Sequence, residues 1–128
     1  MEIAIIIPVF NEADALHKNL TILDRCLKED GLSVNYMLID DGSADDTWKV
    51  IGKIRSEFKN VSGIRLSRNF GKESAMIAGI QNISADYYAV IDSDLQHPPQ
   101  HVKLMLDILI DRKVNIVEGV KRIEEKKL

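Results

Sequence analysis

The stretch IAIIIPVF, residues 3–10, is an apolar run with no polar residue inside it. A strand with one face in water alternates apolar and polar side chains, whereas a strand covered on both faces is apolar throughout. The run is too short to cross a bilayer as a helix, and it lacks the basic start and cleavage site of a signal peptide. It therefore predicts a buried strand of a parallel sheet.

Apolar runs and helical patterns alternate along the rest of the chain. Further strands are predicted at 34–41, near 61–67, at 87–92 and at 114–120. Between them, apolar residues spaced by three or four predict helices at 12–29, from an N-cap at Ser43, at 71–83 and around 102–109. This order predicts a single α/β domain over residues 1–128, with a Rossmann-like, doubly wound, mainly parallel sheet and helices on both faces.

Composition narrows the class of protein. The chain has 128 residues and a formal net charge of −3, which gives no electrostatic reason to expect a nucleic-acid partner. Its single cysteine, Cys26, cannot form an internal disulfide, so a reducing, cytoplasmic compartment is expected. We find no transmembrane segment in the sequence and expect Cys26 to be a packing residue.

Four polar motifs follow the first four predicted strands: PVFNE (8–12), DDGS (40–43), SRNFGK (67–72) and DSDLQ (92–96). Because the carboxyl ends of parallel strands share one edge of the sheet, all four motifs are expected on the same rim. Ligands of doubly wound sheets bind at that edge. The shared location is stronger evidence of a site than any single motif.

Asp92 and Asp94 are the best candidates for a metal site. Alternate residues of an extended segment point the same way, so Ser93 would turn aside and both carboxylates would face one ligand. Oxygen ligands suit Mg²⁺ or Mn²⁺, which could bridge to phosphate oxygens, and Gln96 could add an amide oxygen or hold a bound water. The alternative is a solvated turn in which Asp92 caps the following segment.

Asp40 and Asp41 form a second acidic pair. One interpretation places them in the turn itself, where Gly42 permits the bend and Ser43 caps the next helix. The other has them bind a nucleobase edge or ribose hydroxyls. The sequence leaves both open.

The remaining rim residues also have two interpretations. Phe10 could offer a flat apolar face to a base, whereas Asn11 and Glu12 are expected to cap the first helix. The positive charges of Arg65, Arg68 and Lys72 could meet a diphosphate or simply balance the aspartates. His97 is more simply explained as an incidental loop residue than as a catalytic base.

Some nucleotide chemistries are disfavoured. The chain has no G-x-G-x-x-G after its first strand and no G-x-x-x-x-G-K-[ST], so dinucleotide cofactors and P-loop chemistry are not expected. A phosphoacceptor signalling domain would carry its acids after strands one and three, whereas here they follow strands two and four.

Together, IIIPVFNE (5–12), LIDDGSADDT (38–47), LSRNFGKESAMIAGI (66–80) and VIDSDLQHPP (90–99) resemble glycosyltransferase family 2. The likeness is greatest to its polyprenyl-phosphate branch, the dolichol-phosphate mannosyltransferases and undecaprenyl-phosphate glycosyltransferases. The resemblance implies a GT-A fold that binds a UDP- or GDP-linked sugar with Mg²⁺ or Mn²⁺. It implies an inverting transfer to a lipid phosphate at the cytoplasmic face of a membrane.

The resemblance also implies roles for individual residues. Donor binding would fall to Pro8, Phe10 and Glu12 in the nucleoside pocket, Asp41 and Asp40 at the base or ribose, and Lys72 at the diphosphate. Asp92 and Asp94 match the metal-binding D-x-D motif and carry the catalytic role through that metal, assisted by Gln96. Lys121 stands where relatives carry an arginine that meets phosphate.

Relatives of this kind continue beyond the donor-binding half, so residues 1–128 would be the N-terminal, donor-binding part of a catalytic domain. The acceptor side and any membrane helices would be absent, and the apolar surface left by a half-built site would promote homo-oligomers. Two other functions stay open: a soluble family 2 transferase acting on a saccharide hydroxyl, and a nucleotide-binding module without turnover.

Overall fold

The structure, a computed structural model, describes residues 1–96 and 98–112. In this part of the chain the elements are β1 (Ile3–Val9), α1 (Leu16–Glu29), β2 (Val34–Asp40), α2 (Thr47–Glu57), β3 (Val61–Arg65), α3 (Lys72–Gln81), β4 (Tyr87–Val90) and α4 (Gln100–Asp111). The strands form one sheet in the order β3-β2-β1-β4, and each neighbouring pair is parallel. The predicted doubly wound α/β fold is confirmed.

Strand β1 lies in the interior of the sheet, between β2 and β4. Its residues from Ile3 to Ile7 are at most 3% exposed. Both of its faces are covered, because Ile3, Ile5 and Ile7 belong to one core cluster and Ala4 and Ile6 to the other. This explains why the sequence of β1 shows no polar alternation.

The two faces of the sheet are covered differently. Leucines and isoleucines of α1 and α2, together with Val102 and Leu106 of α4, pack on the face of Ile5. Helix α3 packs on the opposite face through Ala75 and Gly79. A methyl group on Gly79 would come within 2.6 Å of the Ile39 side chain, so the glycine permits a close helix–sheet contact.

Two helices begin later than the sequence pattern predicts. Helix α1 starts at Leu16 rather than at residue 12, and α2 starts at Thr47 rather than after Ser43. The prediction that Ser43 caps α2 is wrong, because its hydroxyl instead accepts the N–H of Asn11 at 2.9 Å. The prediction that Asn11 and Glu12 cap α1 also fails, since Ala15 is the N-cap residue and makes no side-chain cap bond.

The order of the strands creates a switch point at the carboxyl ends of β1 and β4. From β1 the chain moves outward through β2 to β3, and then returns through α3 to add β4 on the other side of β1. The loops after β1 and β4 therefore diverge and leave a crevice between them. The predicted fifth strand at 114–120 lies outside the described residues, and so do Lys121 and His97. Among the helices that the structure describes, none is long and apolar enough to cross a membrane.

A buried hydrogen bond joins α1 to the sheet and gives a test of the packing. The hydroxyl of fully buried Tyr36 on β2 donates to Oδ1 of Asp24 on α1 at 2.9 Å, and Asp24 is 6% exposed. Burial, reinforced by the Asp24 carboxylate, raises the pKa of Tyr36 above its usual range. The tyrosine therefore acts as a hydrogen-bond donor to a carboxylate that is otherwise paired with Lys28 at 2.8 Å.

We predict that Tyr36→Phe lowers the free energy of unfolding by about 1–2 kcal/mol, because it leaves Oδ1 of the buried Asp24 without its donor. Urea unfolding followed by circular dichroism measures the change. The matched control is Tyr88→Phe, whose hydroxyl donates to the Ile83 carbonyl at 2.9 Å in an exposed position. The control should lose less than about 0.5 kcal/mol, and equal losses in the two variants would contradict the prediction.

Candidate functional site

A cleft of about 300 Å³ lies at the switch point of the sheet. Its walls come from the ends of β1, β2 and β4 and from the start of α3. The lining residues are Pro8, Val9, Phe10, Glu12, Asp41, Lys72, Asp92, Ser93 and Asp94. All four rim motifs predicted from the sequence contribute at least one residue to it.

Asp92 and Asp94 both line the cleft, but they reach it by a different route from the one predicted. Strand β4 ends at Val90, and Ser93 and Asp94 lie in a turn rather than in an extended segment. In this turn the N–H of Leu95 donates to the Asp92 carbonyl at 3.2 Å, and Leu95 has a left-handed φ of 56°. Ser93, between Asp92 and Asp94, is buried and borders both this cleft and a small cavity against α1.

Lys72 faces this acidic turn. Its ammonium forms an ion pair with Oδ1 of Asp92, and the two side chains are 61% and 35% exposed. Of the three predicted basic residues, Lys72 is in the cleft lining, whereas Arg65 and Arg68 are not among its residues. The guanidinium carbon of Arg68 instead lies 4.5 Å from the centre of the Phe70 ring, in a cation–π contact.

The second acidic pair has a different geometry. Asp40 is fully buried and does not line the cleft; its Oδ1 accepts the N–H of Ser43 at 2.9 Å. Its Oδ2 has no hydrogen-bond partner among the described residues. Asp41 is 4% exposed and lines the cleft, yet its carboxylate accepts the N–H groups of Phe70 at 2.9 Å and Gly71 at 3.1 Å. The Asp40 contact lies within the turn after β2, whereas those of Asp41 reach the loop before α3. Binding of a base or ribose by this pair stays a prediction.

Side chains of the β2–α2 loop satisfy the backbone after β1. Three successive N–H groups, those of residues 11–13, donate to Ser43 Oγ at 2.9 Å, Thr47 Oγ1 at 3.0 Å and Asp45 Oδ2 at 3.3 Å. The Thr47 hydroxyl donates to Asp45 and holds the pKa of that carboxyl below its usual range. Hydrogen bonds thus replace the expected helix caps and join the first two loops of the rim.

The wall of the cleft formed by the end of β1 and the loop after it has both apolar and charged side chains. Pro8, Val9 and Phe10 supply apolar surface, and Phe10 is 46% exposed, so its ring is available to a flat ligand. Glu12 adds a carboxylate, and its backbone N–H donates to Thr47 Oγ1. These three predicted residues, Pro8, Phe10 and Glu12, are brought together as expected.

The residues present fit a divalent cation whose ligand set would be completed by oxygens of a bound substrate. Among the described residues, no cluster of three or more His, Cys, Asp or Glu side chains could hold a metal by itself. Asp92 and Asp94 nevertheless share the cleft, and two carboxylates with substrate phosphates are a usual ligand set for Mg²⁺. Gln96 is not among the residues that line the cleft; its backbone N–H donates to Asp94 Oδ1 at 3.2 Å.

Two asparagines that the sequence reasoning did not select hold parts of the site. The amide of Asn19 on α1 donates to the Ser93 carbonyl at 2.8 Å and so supports the acidic turn. The sequence contains an indication of this role, because Asn19 is a polar residue at helical spacing between the buried Leu16 and Leu23 of α1. The amide of Asn69 lies 3.3 Å from the Asp41 carbonyl and from its carboxylate, a contact that no local pattern predicts.

Comparison with known proteins adds to this geometry. The sequence model described as "Glycosyl transferase family 2" matches residues 4–127. The chain is 33% identical over 107 residues to the undecaprenyl-phosphate 4-deoxy-4-formamido-L-arabinose transferase of Klebsiella pneumoniae (strain 342), covering 83% of this chain and 33% of that protein. It is 33% identical over 109 residues to the dolichol-phosphate mannosyltransferase of Pyrococcus furiosus, covering 85% and 30%.

A solved structure shares the fold. The mannosyltransferase PcManGT from Pyrobaculum calidifontis, solved in complex with GDP-Man and Mn²⁺, superposes with a TM-score of 0.78 at 19% identity, over 94% of this chain and 35% of that one. The chain therefore spans about a third of the length of the curated relatives it matches.

The close approach of the rim loops can be tested at a glycine. Gly42 has φ +72°, and a Cβ there would lie 2.2 Å from the carbonyl carbon of Arg68. Gly31 has a similar φ of +76° but nothing within 4 Å of the same position. The two glycines therefore differ in steric surroundings and not in backbone conformation.

We expect Gly31→Ala to cost about 1 kcal/mol of stability from its left-handed φ alone. Gly42→Ala should cost at least about 2 kcal/mol more, since backbone of the neighbouring loop must move. Chemical denaturation of both variants measures the difference. Equal costs would mean that the loops do not touch at Gly42 in solution.

Proposed function

Because this chain belongs to glycosyl transferase family 2, we propose that its cleft binds the diphosphate of a nucleotide-sugar through Mg²⁺ or Mn²⁺ held by Asp92 and Asp94. In this proposal the sugar is transferred to a polyprenyl phosphate. The observation that carries the proposal is the convergence of Asp92, Asp94 and Lys72 in one cleft at the switch point of the sheet. The activity of the whole protein is part of the proposal.

The charge of the cleft supports a role for a cation. Three acidic residues, Glu12, Asp92 and Asp94, line it beside the buried and hydrogen-bonded Asp41, against the one ammonium of Lys72 among the described lining residues. A diphosphate would be repelled by such a surface unless positive charge accompanied it. When bound, the cation would neutralise charge that develops on the diphosphate as it leaves the sugar.

The protein's own residues would orient the donor. Phe10 offers its exposed ring to the base, and Glu12 can accept hydrogen bonds from ribose hydroxyls. Lys72 can donate to a phosphate oxygen in place of its present partner Asp92. In the same proposal Gln96 supports the metal from outside its ligands and Lys121 contacts a phosphate. Asp40 stabilises the turn after β2.

The acceptor in the proposal is a lipid phosphate at the cytoplasmic face of a membrane. Two relatives are named for transfer involving undecaprenyl phosphate and dolichol phosphate. A phosphate oxygen is already ionised near neutral pH and needs less help from a general base than a sugar hydroxyl. This suits a cleft in which no histidine is among the described lining residues.

Calorimetric titration tests the donor site. UDP, GDP and their sugar conjugates are titrated with and without Mn²⁺ into the wild type, Asp92→Asn and Asp94→Asn. We expect Mn²⁺-dependent binding that each substitution weakens at least about tenfold, because each removes a charged metal ligand.

The control is Asp111→Asn, which removes one exposed carboxylate at the end of α4. It should bind like the wild type. A folded wild type that binds none of these ligands would refute the proposal. Metal-dependent binding without transfer to undecaprenyl phosphate in a vesicle assay would favour a non-catalytic nucleotide-binding module.

A second prediction concerns the ion pair. The ammonium of Lys72 occupies an oxygen of Asp92 that a metal would also use. We therefore expect Lys72→Met to bind Mn²⁺ about two- to fivefold more tightly in the absence of nucleotide, the scale of an exposed ion pair. The same variant should bind the diphosphate more weakly, because a phosphate donor is lost.

Electron paramagnetic resonance of free Mn²⁺ gives the first affinity and calorimetry gives the second. Lys72→Arg, which keeps the charge, should show little change in Mn²⁺ affinity. If Lys72→Met left the nucleotide-free Mn²⁺ affinity unchanged, Lys72 and the metal would not share Asp92.

A further inference from the structure

The β3–α3 loop, residues 66–71, is held by one carboxylate. Oδ1 of Asp41 accepts the N–H of Phe70 at 2.9 Å, and Oδ2 accepts that of Gly71 at 3.1 Å. The side-chain amide of Asn69 lies 3.3 Å from the same Oδ2. Three donors from three successive residues therefore converge on a carboxylate that is 4% exposed.

The residue that follows these donors is Lys72. Gly71 is the N-cap of α3, with φ +103°, and Lys72 is the first residue of the helix. Further along, α3 is fixed by Ala75, which is fully buried, and by Gly79, which packs tightly on the sheet. Asp41 therefore acts on the first turn of α3 and not on the rest of the helix.

The direction of the Lys72 side chain depends on that first turn. The side chain is 61% exposed, so packing around it does little to restrict its rotamers. The Lys72 ammonium can reach Oδ1 of Asp92, across the cleft, only if the Lys72 backbone is correctly placed. The backbone that sets its origin is the segment held by Asp41.

We propose that Asp41 is a positioning residue for Lys72: it holds the β3–α3 loop so that the ammonium of Lys72 is directed to Asp92 and to a bound diphosphate. The diphosphate part rests on the proposed function. The ion pair with Asp92 does not. This role is separate from a contact between Asp41 and the base or ribose, because the three donors of the loop leave acceptor capacity on a carboxylate whose two oxygens can take about four hydrogen bonds.

A ligand-free experiment tests the positioning role. Lys72 of the whole chain is acetylated with trace acetic anhydride, and its rate is compared by mass spectrometry with that of the exposed Lys18. Asp92→Asn should raise the relative rate of Lys72 about two- to fivefold, because the amine loses the partner that shields it. Asp41→Asn, which turns an acceptor into a donor facing backbone N–H groups, should raise it by the same factor.

Two further variants separate positioning from general instability. Gly71→Ala strains the same backbone, because Gly71 has φ +103°, while Asp41 stays intact. Nothing lies within 4 Å of the added carbon, so the variant introduces no clash. It should also raise the acetylation rate of Lys72. Tyr36→Phe destabilises the fold far from the loop and should leave the rate unchanged. An unchanged rate in Asp41→Asn would overturn the proposal, and so would an unchanged rate in Asp92→Asn, because the ion pair itself would then be absent.

A nucleotide experiment extends the test to the diphosphate. With Mn²⁺ present, the affinities for UDP and UMP, and for GDP and GMP, give the contribution of the second phosphate. Asp41→Asn and Lys72→Met should each reduce that contribution about tenfold, the scale of a charge-assisted hydrogen bond. The double variant should lose no more than either single one.

The possible outcomes distinguish the two proposals. If Asp41→Asn kept the diphosphate contribution but changed the UDP-to-GDP ratio, Asp41 would contact the base and the positioning role would be overturned. Additive losses in the double variant would also overturn it. If the wild type bound no nucleotide, the proposed function would fail, and the acetylation rates would decide the positioning role alone.

Discussion

The parallel pairing of β1 with both β2 and β4 sets the position of every loop that forms the cleft. Parallel strands need crossover connections, so every strand of the sheet points its carboxyl end to the same rim. Because β4 is added on the opposite side of β1 from β2, the loops at that rim separate at β1. The cleft lies where they separate, and its polar residues come from motifs far apart in the chain.

Hydrogen bonds between loops turn these separate motifs into one rim. The loop after β1 is held by side chains of the β2–α2 loop, and the β3–α3 loop is held by Asp41. Gly42 allows the backbones to approach closely enough for this. Buried N–H groups without partners are costly, so each of these contacts both satisfies the backbone and limits its movement. The acidic turn is supported in the same way by Asn19.

The two acidic pairs show how similar sequence can serve different physical roles. Asp41 borders the cleft but is almost wholly buried and accepts two backbone N–H groups, and Asp40 is fully buried with one such donor, whereas Asp92 and Asp94 lie in the more open acidic turn. A carboxylate that accepts several N–H donors has its charge compensated by the protein. A carboxylate in an open cleft depends on Lys72, solvent or a bound cation for the same compensation. The second arrangement leaves charge available to a ligand.

Likeness to family motifs grouped Pro8, Phe10, Glu12, Lys72, Asp92 and Asp94 in one site. The sequence pattern was sufficient to predict the layers of the fold and the sharing of one rim by four motifs. These follow from apolar periodicity and from the rule that parallel strands end together, and both are local or topological properties. Three contacts are visible only in the folded chain: Asp41 holds the β3–α3 loop, the Ser43 hydroxyl accepts the N–H of Asn11 instead of capping α2, and Lys72 rather than Arg68 reaches Asp92. Such partners are separated by some 20 to 30 residues or more in the chain, and their contacts depend on differences of a few ångströms in loop position that no spacing rule encodes.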